Sequence, residues 1–258
     1  MNKRIMIFII SFAIGIIMCT MLYSHTMISE AVPKYPDGTP STNDGVKSTS
    51  LSIIESKTRE ATVKIITPSG GHGSGALYYY AGKFIALTAA HVTSELGVYT
   101  LIDRWGEERF ATVIYVDSKY DFSILSTTSF TKTTPLQLKI PLYDIRNIVD
   151  KTLLFSGYPS SLPLLTTRGR VSGFRDDAII MHSAAWMGSS GSNVFDNSGN
   201  FIGILYAVSV GDFIGIPTLM EDVIWVTPYY LLDWDLIRKT IKTRGRNGLK
   251  EETNPSIR

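Results

Sequence analysis

Short runs of β-branched and aromatic residues, separated by turn residues, dominate the chain from Ala61 onward. Because no long helical patterns alternate with them, a parallel α/β sheet is disfavoured. Many such runs at regular spacing predict an all-β domain, either a sandwich or a pair of barrels. The runs form two series on either side of "TKTTPLQLKIPLYDIRN": "ATVKIIT", "GSGALYYY", "KFIALTAAHV", "YTLID", "RFATVIYVD" and "FSILS", then "KTLLFSGYP", "RGRVSGF", "AIIMHS", "SNVF", "FIGILYAVSV" and "VIWVTP".

Helical signals lie at the two ends of this β-rich region. Ser50 or Ser52 is a plausible N-cap before "IIESKTRE". After the second series, "PYYLLDWDLIRKTIKT" predicts a helix that ends near Gly245, because its apolar residues recur at helical spacing. These residues are Leu231, Leu232, Trp234, Ile237 and Ile241.

The N-terminus carries an uncharged run from Ile5 to Tyr23, preceded by Lys3 and Arg4. Nineteen residues at about 1.5 Å each approach the roughly 30 Å hydrocarbon core of a membrane. The run is therefore expected to be either a membrane anchor or a signal peptide cleaved near residues 29–31. In both cases the positive flank predicts an extracytoplasmic domain, anchored or secreted.

Composition excludes several classes of function. The formal net charge of +2 gives no basic patch for nucleic acid. The only cysteine, Cys19, lies in the apolar N-terminal run, so the folded domain has neither a disulfide nor a thiol nucleophile. The four histidines lack metal-ligand spacing, and the sequence predicts no metal and no cofactor.

One histidine, one aspartate and one serine stand in settings that suit nucleophilic catalysis. His91 follows the apolar run "ALTAAHV", Asp121 precedes "FSIL", and Ser190 lies in the glycine-rich "GSSGS". A serine hydroxyl needs a base to remove its proton, and a carboxylate to orient that base. The three residues are therefore candidates for a catalytic triad.

The order His91, Asp121, Ser190 and the residues around each resemble the chymotrypsin-type, or trypsin-like, serine peptidases. "LTAAHV", "YDFSIL" and "GSSGS" are similar to the three catalytic boxes of that family. "GSGALY", "FSGYP" with "TRGRVSG", and "SGNFIGI" resemble the disulfide-free bacterial HtrA-like and glutamyl endopeptidase-like branch. The resemblance covers roughly residues 52 to 232. It implies two six-stranded antiparallel β-barrels, to which the sequence adds the N-terminal signal or transmembrane helix and the C-terminal helix predicted above.

The composition of the chain and the resemblance together predict a domain layout, and the resemblance implies a set of roles. We expect a signal or anchor over 1–31, a linker over 32–48, a peptidase domain over 49–241 and a polar tail over 244–258. Within the domain, the barrels are expected at about 55–130 and 150–228 and the helix at about 229–243. Ser190 would be the nucleophile, His91 the base and Asp121 its orienting partner, with the N–H groups of Gly188 and Ser190 as the oxyanion hole.

The serine turn departs from the family pattern. Gly191 is followed by Ser192 and Asn193, where the family usually has Gly-Gly-Pro. Glutamyl endopeptidases share the serine at position 192. Asn193 is expected to loosen the turn without removing a catalytic group.

The resemblance further implies a substrate pocket that favours small or medium apolar residues before the cut. No carboxylate lies between Ile179 and Gly191, and Leu205 stands where glutamyl endopeptidases place a histidine. Cleavage after Lys, Arg or Glu is therefore disfavoured. The pocket is expected to be formed by Ala184, Leu205, Tyr206, Ala207 and Val208.

Two other classes compete with a serine endopeptidase acting on polypeptides. An α/β-hydrolase also places serine between glycines, but the residue order and the absent βα pattern oppose it. A catalytically inactive protease-fold module, tethered to the membrane for binding, is the stronger alternative.

Overall fold

The computed structural model describes residues 52–160, 162–213 and 216–251, which are mostly β-sheet. The apolar run Ile5–Tyr23 lies outside these residues. Within the described part of the chain, no helix has both the length and the apolar character needed to cross a membrane.

The first series of runs closes into an antiparallel barrel in the order β1-β2-β3-β6-β5-β4. Its closure is made by β1 pairing with both β2 and β4. The strands are β1 (Thr62–Ile66), β2 (His72–Tyr80), β3 (Lys83–Thr88), β4 (Tyr99–Ile102), β5 (Glu108–Asp117) and β6 (Phe122–Ser126).

The second series closes into a second antiparallel barrel in the order β10-β11-β12-β9-β8-β7. The prediction of two six-stranded barrels is therefore confirmed. The strands are β7 (Thr152–Gly157), β8 (Leu165–Arg175), β9 (Ala178–His182), β10 (Asn193–Phe195), β11 (Phe201–Phe213) and β12 (Ile216–Pro228).

The C-terminal helix α2 (Trp234–Glu251) joins the two barrels. The Trp234 ring packs edge-on against Phe122 of β6 at 6.1 Å and against Phe201 of β11 at 6.0 Å between centroids. Leu232, Ile237 and Ile241 are buried in the same apolar cluster, as their spacing predicted. The helix continues past Gly245, where its end was expected, because one glycine costs a helix only about 1 kcal/mol.

The N-terminal helix α1 (Ile53–Glu60) is held to the second barrel by a buried carboxylate. Ser52 is its N-cap, and Glu55 completes the capping box. Arg168 of β8 donates two hydrogen bonds to Glu55, at 2.5 and 2.7 Å. The hydrogen bonds from Arg168 are the main reason that the pKa of Glu55 is lowered from 4.5 to about 2.

Replacing Glu55 with glutamine should lower the free energy of unfolding by about 1–2 kcal/mol at pH 7, because Arg168 loses a charged partner. The folded-state pKa lies below the unfolded one, so this contribution is present above about pH 4.5 and disappears as the pH falls toward 2. Urea unfolding at several pH values measures the difference. Glu60→Gln, on the same helix, should change little; a Glu55→Gln effect as large at pH 2 as at pH 7 would contradict the ion-pair explanation.

Candidate active site

The fold brings His91 and Asp121 together at the ends of neighbouring strands. His91 lies in a 3₁₀ turn (Ala90–Thr93) just after β3, and Asp121 directly precedes β6. Because β3 pairs with β6, with Thr88 opposite Ser123, the two side chains meet at one end of the first barrel. Asp121 has φ = +50°, a conformation that aspartate tolerates better than most residues.

Two hydrogen bonds fix the geometry of this pair. His91 Nδ1 lies 2.6 Å from Asp121 Oδ2, and the backbone N–H of His91 donates to Asp121 Oδ1 at 2.8 Å. Since an ionised carboxylate only accepts, Nδ1 carries the proton and Nε2 is left as the acceptor. Burial acts to raise the pKa of Asp121, but the hydrogen bonds from His91 outweigh it, and the net pKa is lowered. The carboxylate is therefore charged at neutral pH.

Ser190 lies in a tight turn between β9 and β10 of the second barrel, held against the first. Its carbonyl oxygen accepts a hydrogen bond from the Ser74 N–H of β2 at 2.8 Å. The following residue, Gly191, is pressed against the strand end that leads to His91. A Cβ on Gly191 would lie 2.1 Å from both Ser74 O and Thr88 Oγ1, and 3.1 Å from Ala89 N.

The glycines of the turn are required by its backbone. Gly188 has φ = +90° and Gly191 has φ = +87°, both in the region that favours glycine. A Cβ on Gly188 would lie 2.5 Å from His72 Nε2 and 2.5 Å from Tyr158 O. The turn is thus enclosed by both barrels, and Ser190 itself is half-buried.

The backbone N–H groups of the serine turn are of two kinds: some donate to a protein carbonyl, and others have no protein acceptor among the described residues. Ser189 N–H donates to Trp186 O and Gly191 N–H to Leu205 O, at 2.9 and 2.8 Å. Among the residues that the structure describes, the N–H groups of Gly188 and Ser190 have no protein acceptor. These are the two donors that the sequence assigned to an oxyanion hole. Within the same residues, Ser190 Oγ makes no hydrogen bond to His91; such bonds are often long before substrate binds.

Asn193 does not loosen the turn, which corrects the expectation drawn from the sequence. Its side chain is buried and makes three hydrogen bonds, to Tyr78 OH, Leu87 O and Gly191 O. The expectation was wrong because it considered only the lost rigidity of a proline ring. Two of the partners of the asparagine amide, Tyr78 and Leu87, are more than a hundred positions away and could not be read from the turn itself.

The residues expected to form the substrate pocket divide between surface and core. Ala184 is exposed, and Tyr206, Ala207 and Val208 are partly exposed. Leu205 is 1% exposed and belongs to the core of the second barrel, so its side chain can back a pocket but not project into one. The assignment of these five residues to a substrate pocket stays a prediction.

A cavity of about 210 Å³ adjoins the His91–Asp121 pair and was not predicted from the sequence. Asp121 and Tyr206 line it, together with Tyr120, Trp225 and Thr227 and a charged rim. The rim is formed by Lys119, Arg175, Asp176 and Asp177, next to Ala178. A larger cavity of about 360 Å³ lies between α1, residues 134–139 and the Ser198-Gly199 turn, and no triad candidate lines it.

Two closed antiparallel barrels, with a histidine–aspartate pair on one and a glycine-flanked serine on the other, define the chymotrypsin-fold class of serine peptidases. The model of the trypsin-like peptidase domain family matches residues 73–204. This chain therefore belongs to that family. No curated protein matches its sequence significantly.

Solved structures of bacterial proteases share the fold at low identity. A serine endoprotease from Yersinia pestis is 20% identical, with a TM-score of 0.58; the match covers 73% of this chain and 65% of that one. This chain therefore spans slightly less than two thirds of that protein. An inactive form of Rv3671c from M. tuberculosis H37Rv is 18% identical, with a TM-score of 0.55 and coverage of 69% and 85%. The HtrA-type protease AlgW is 21% identical, with a TM-score of 0.55 and coverage of 69% and 59%.

Replacing Gly191 with alanine should destabilise the domain by at least about 2 kcal/mol, because the new methyl group meets backbone and a positive φ is required. Thermal unfolding measures the loss. Gly173→Ala is the matched control, since nothing lies within 4 Å of its Cβ position. If the two variants unfold at the same temperature, the enclosed turn described above is wrong.

Proposed function

We propose that the protein hydrolyses peptide bonds of polypeptide substrates through Ser190, His91 and Asp121, by way of an acyl-enzyme. The observation that carries the proposal is the doubly hydrogen-bonded His91–Asp121 pair on the barrel against which the Ser190 turn is seated. The family match supports peptide hydrolysis in general. The assignment of the three roles is our proposal; it follows the family resemblance and is supported by the geometry of the His91–Asp121 pair.

In the first half-reaction, Ser190 Oγ attacks the scissile carbonyl carbon and His91 Nε2 accepts the hydroxyl proton. The C–N bond then breaks as His91 returns this proton to the leaving amine, which leaves an ester on Ser190. Water, deprotonated by His91, then attacks the ester; the bond to Ser190 Oγ breaks, His91 returns the proton to this oxygen, and the second product leaves as a carboxylic acid. Asp121 holds the imidazole with Nε2 facing the nucleophile and remains ionised throughout.

Charge develops at two places during this sequence, and the site has a group for each. The imidazolium that forms on His91 is stabilised by the neighbouring Asp121 carboxylate, 2.6 Å away. The negative charge on the substrate carbonyl oxygen would be met by the uncommitted N–H groups of Gly188 and Ser190. Preorganised donors of this kind are worth about 3–4 kcal/mol each in related reactions.

Changing Ser190 to alanine should lower kcat by roughly 10⁶, about 8 kcal/mol of transition-state stabilisation, while the fold persists. Hydrolysis of a proteome-derived peptide library, followed by mass spectrometry, measures the loss. Ser192→Ala is the matched control, because the buried Ser192 Oγ has no hydrogen-bond partner among the described residues. If wild type and Ser190→Ala are equally inactive, the chain is a protease-fold binding module rather than an enzyme.

We also propose that the pocket accepts small or medium apolar side chains. Among residues 179–191 there is no carboxylate to pair with a lysine or arginine, and we expect Ala184, Ala207 and Val208 to form an apolar wall. Burying the unpaired charge of a substrate lysine or arginine in this pocket would cost roughly several kcal/mol.

Digestion of the same library should therefore show cleavage mainly after Val, Ala, Leu or Ile, with at least about tenfold preference over Arg, Lys and Glu. Val208→Gly should extend the preference to larger apolar residues by opening the wall. A dominant preference for cleavage after a charged residue would refute the apolar pocket without affecting the triad.

A further inference from the structure

Asn193 occupies a buried position directly beneath the serine turn, between the two barrels. It is 2% exposed and is the first residue of β10 in the second barrel. All its side-chain hydrogen bonds except one go to the first barrel. Tyr78 of β2 donates to Oδ1 at 2.9 Å, and Nδ2 donates to Leu87 O at 3.0 Å and to Gly191 O at 2.9 Å.

The chemistry of the partners determines the orientation of the amide. Leu87 O and Gly191 O are carbonyl oxygens and can only accept, so the NH₂ group must face them. Oδ1 then faces the Tyr78 hydroxyl, which donates. Tyr78 is fully buried, and burial raises its pKa well above the usual value, so the hydroxyl keeps its proton. The Tyr78 hydroxyl and both polar atoms of the Asn193 amide therefore all have hydrogen-bond partners.

The two carbonyls that accept hydrogen bonds from the Asn193 amide lie in the two segments that carry the proposed base and the proposed nucleophile. Leu87 lies in β3, four residues before His91, and Gly191 immediately follows Ser190. One planar amide therefore sets the spacing between the strand that carries the base and the turn that carries the nucleophile. A proline at this position, as is usual in the family, has no donor that could reach either carbonyl.

We propose that Asn193, oriented by Tyr78, is a positioning residue that holds the Ser190 turn in register with the His91-bearing strand. It acts through the backbone carbonyls of Gly191 and Leu87 and touches no substrate atom. The inference rests on the proposed function for its effect on rate, but its effect on the geometry of the turn is independent of catalysis.

The test compares two buried tyrosines of the first barrel. Tyr78→Phe removes the donor that orients Asn193. Tyr99→Phe is the matched control, because Tyr99 is equally buried and its hydroxyl donates to Glu95 O at 2.6 Å and to no atom of the turn. Both variants lose one hydrogen bond, and their unfolding temperatures should fall by similar amounts. A general loss of stability would therefore affect the two alike.

Tyr78→Phe should lower kcat about tenfold with KM unchanged within twofold, whereas Tyr99→Phe should keep kcat within twofold of wild type. Hydrogen–deuterium exchange provides the readout that needs no activity. The Gly191 amide, which donates to Leu205 O, should exchange at least tenfold faster in Tyr78→Phe and at the wild-type rate in Tyr99→Phe. Asn193→Asp removes both N–H donors of the side-chain amide. It should therefore lower kcat further, and speed exchange of the Gly191 amide more, than Tyr78→Phe does.

Unchanged exchange at Gly191 in Tyr78→Phe, or an equal change in Tyr99→Phe, would overturn the positioning role. Faster exchange in Tyr78→Phe together with a wild-type protein no more active than Ser190→Ala would instead uphold the positioning role and refute the proposed function. Faster exchange with kcat unchanged in an active enzyme would also overturn the inference, because the turn would then not need to be held.

Discussion

The proposed active site depends on how firmly the serine turn of the second barrel is seated on the first barrel. The Ser74 N–H holds the Ser190 carbonyl oxygen, and Gly191 fits against Ser74, Thr88 and Ala89 with no room for a side chain. His91 and Asp121 belong entirely to the first barrel. The proposed nucleophile and its proposed base therefore come from different barrels, and small displacements at this contact would lower the reaction rate steeply.

Several independent features hold the two barrels in this arrangement. Trp234 packs between Phe122 and Phe201, one from each barrel, on the side of the C-terminal helix. Asn193 and Tyr78 join the barrels by hydrogen bonds beneath the turn. The apolar contact is insensitive to exact direction, while the buried amide is strongly directional. The packing of Trp234 favours association of the barrels, and the hydrogen bonds of Asn193 fix how the barrels are aligned.

The sequence predicted the strands and the C-terminal helix because that information is local, and the two six-stranded barrels were implied by the family resemblance. Alternating apolar runs, turn residues and the spacing of Leu232, Ile237 and Ile241 all depend on near neighbours. His91, Asp121 and Ser190 could be proposed as a triad because each stands in a recognisable short sequence motif. Asn193 was misread, and Tyr78 and the cavity by Trp225 were missed, because their contacts join residues about a hundred positions apart. The inward side of Leu205 was likewise settled by strand pairing in three dimensions.

The most direct test of the central claim is to map the reaction of the folded wild-type protein with a fluorophosphonate. An activated serine attacks phosphorus and retains the phosphonyl group, which peptide mass spectrometry locates to one residue. The geometry predicts a single adduct on Ser190, lost when His91 is changed to alanine or the protein is denatured. No adduct on the native protein, or an adduct on Ser189 or Ser192, would contradict the assignment of Ser190 as the nucleophile.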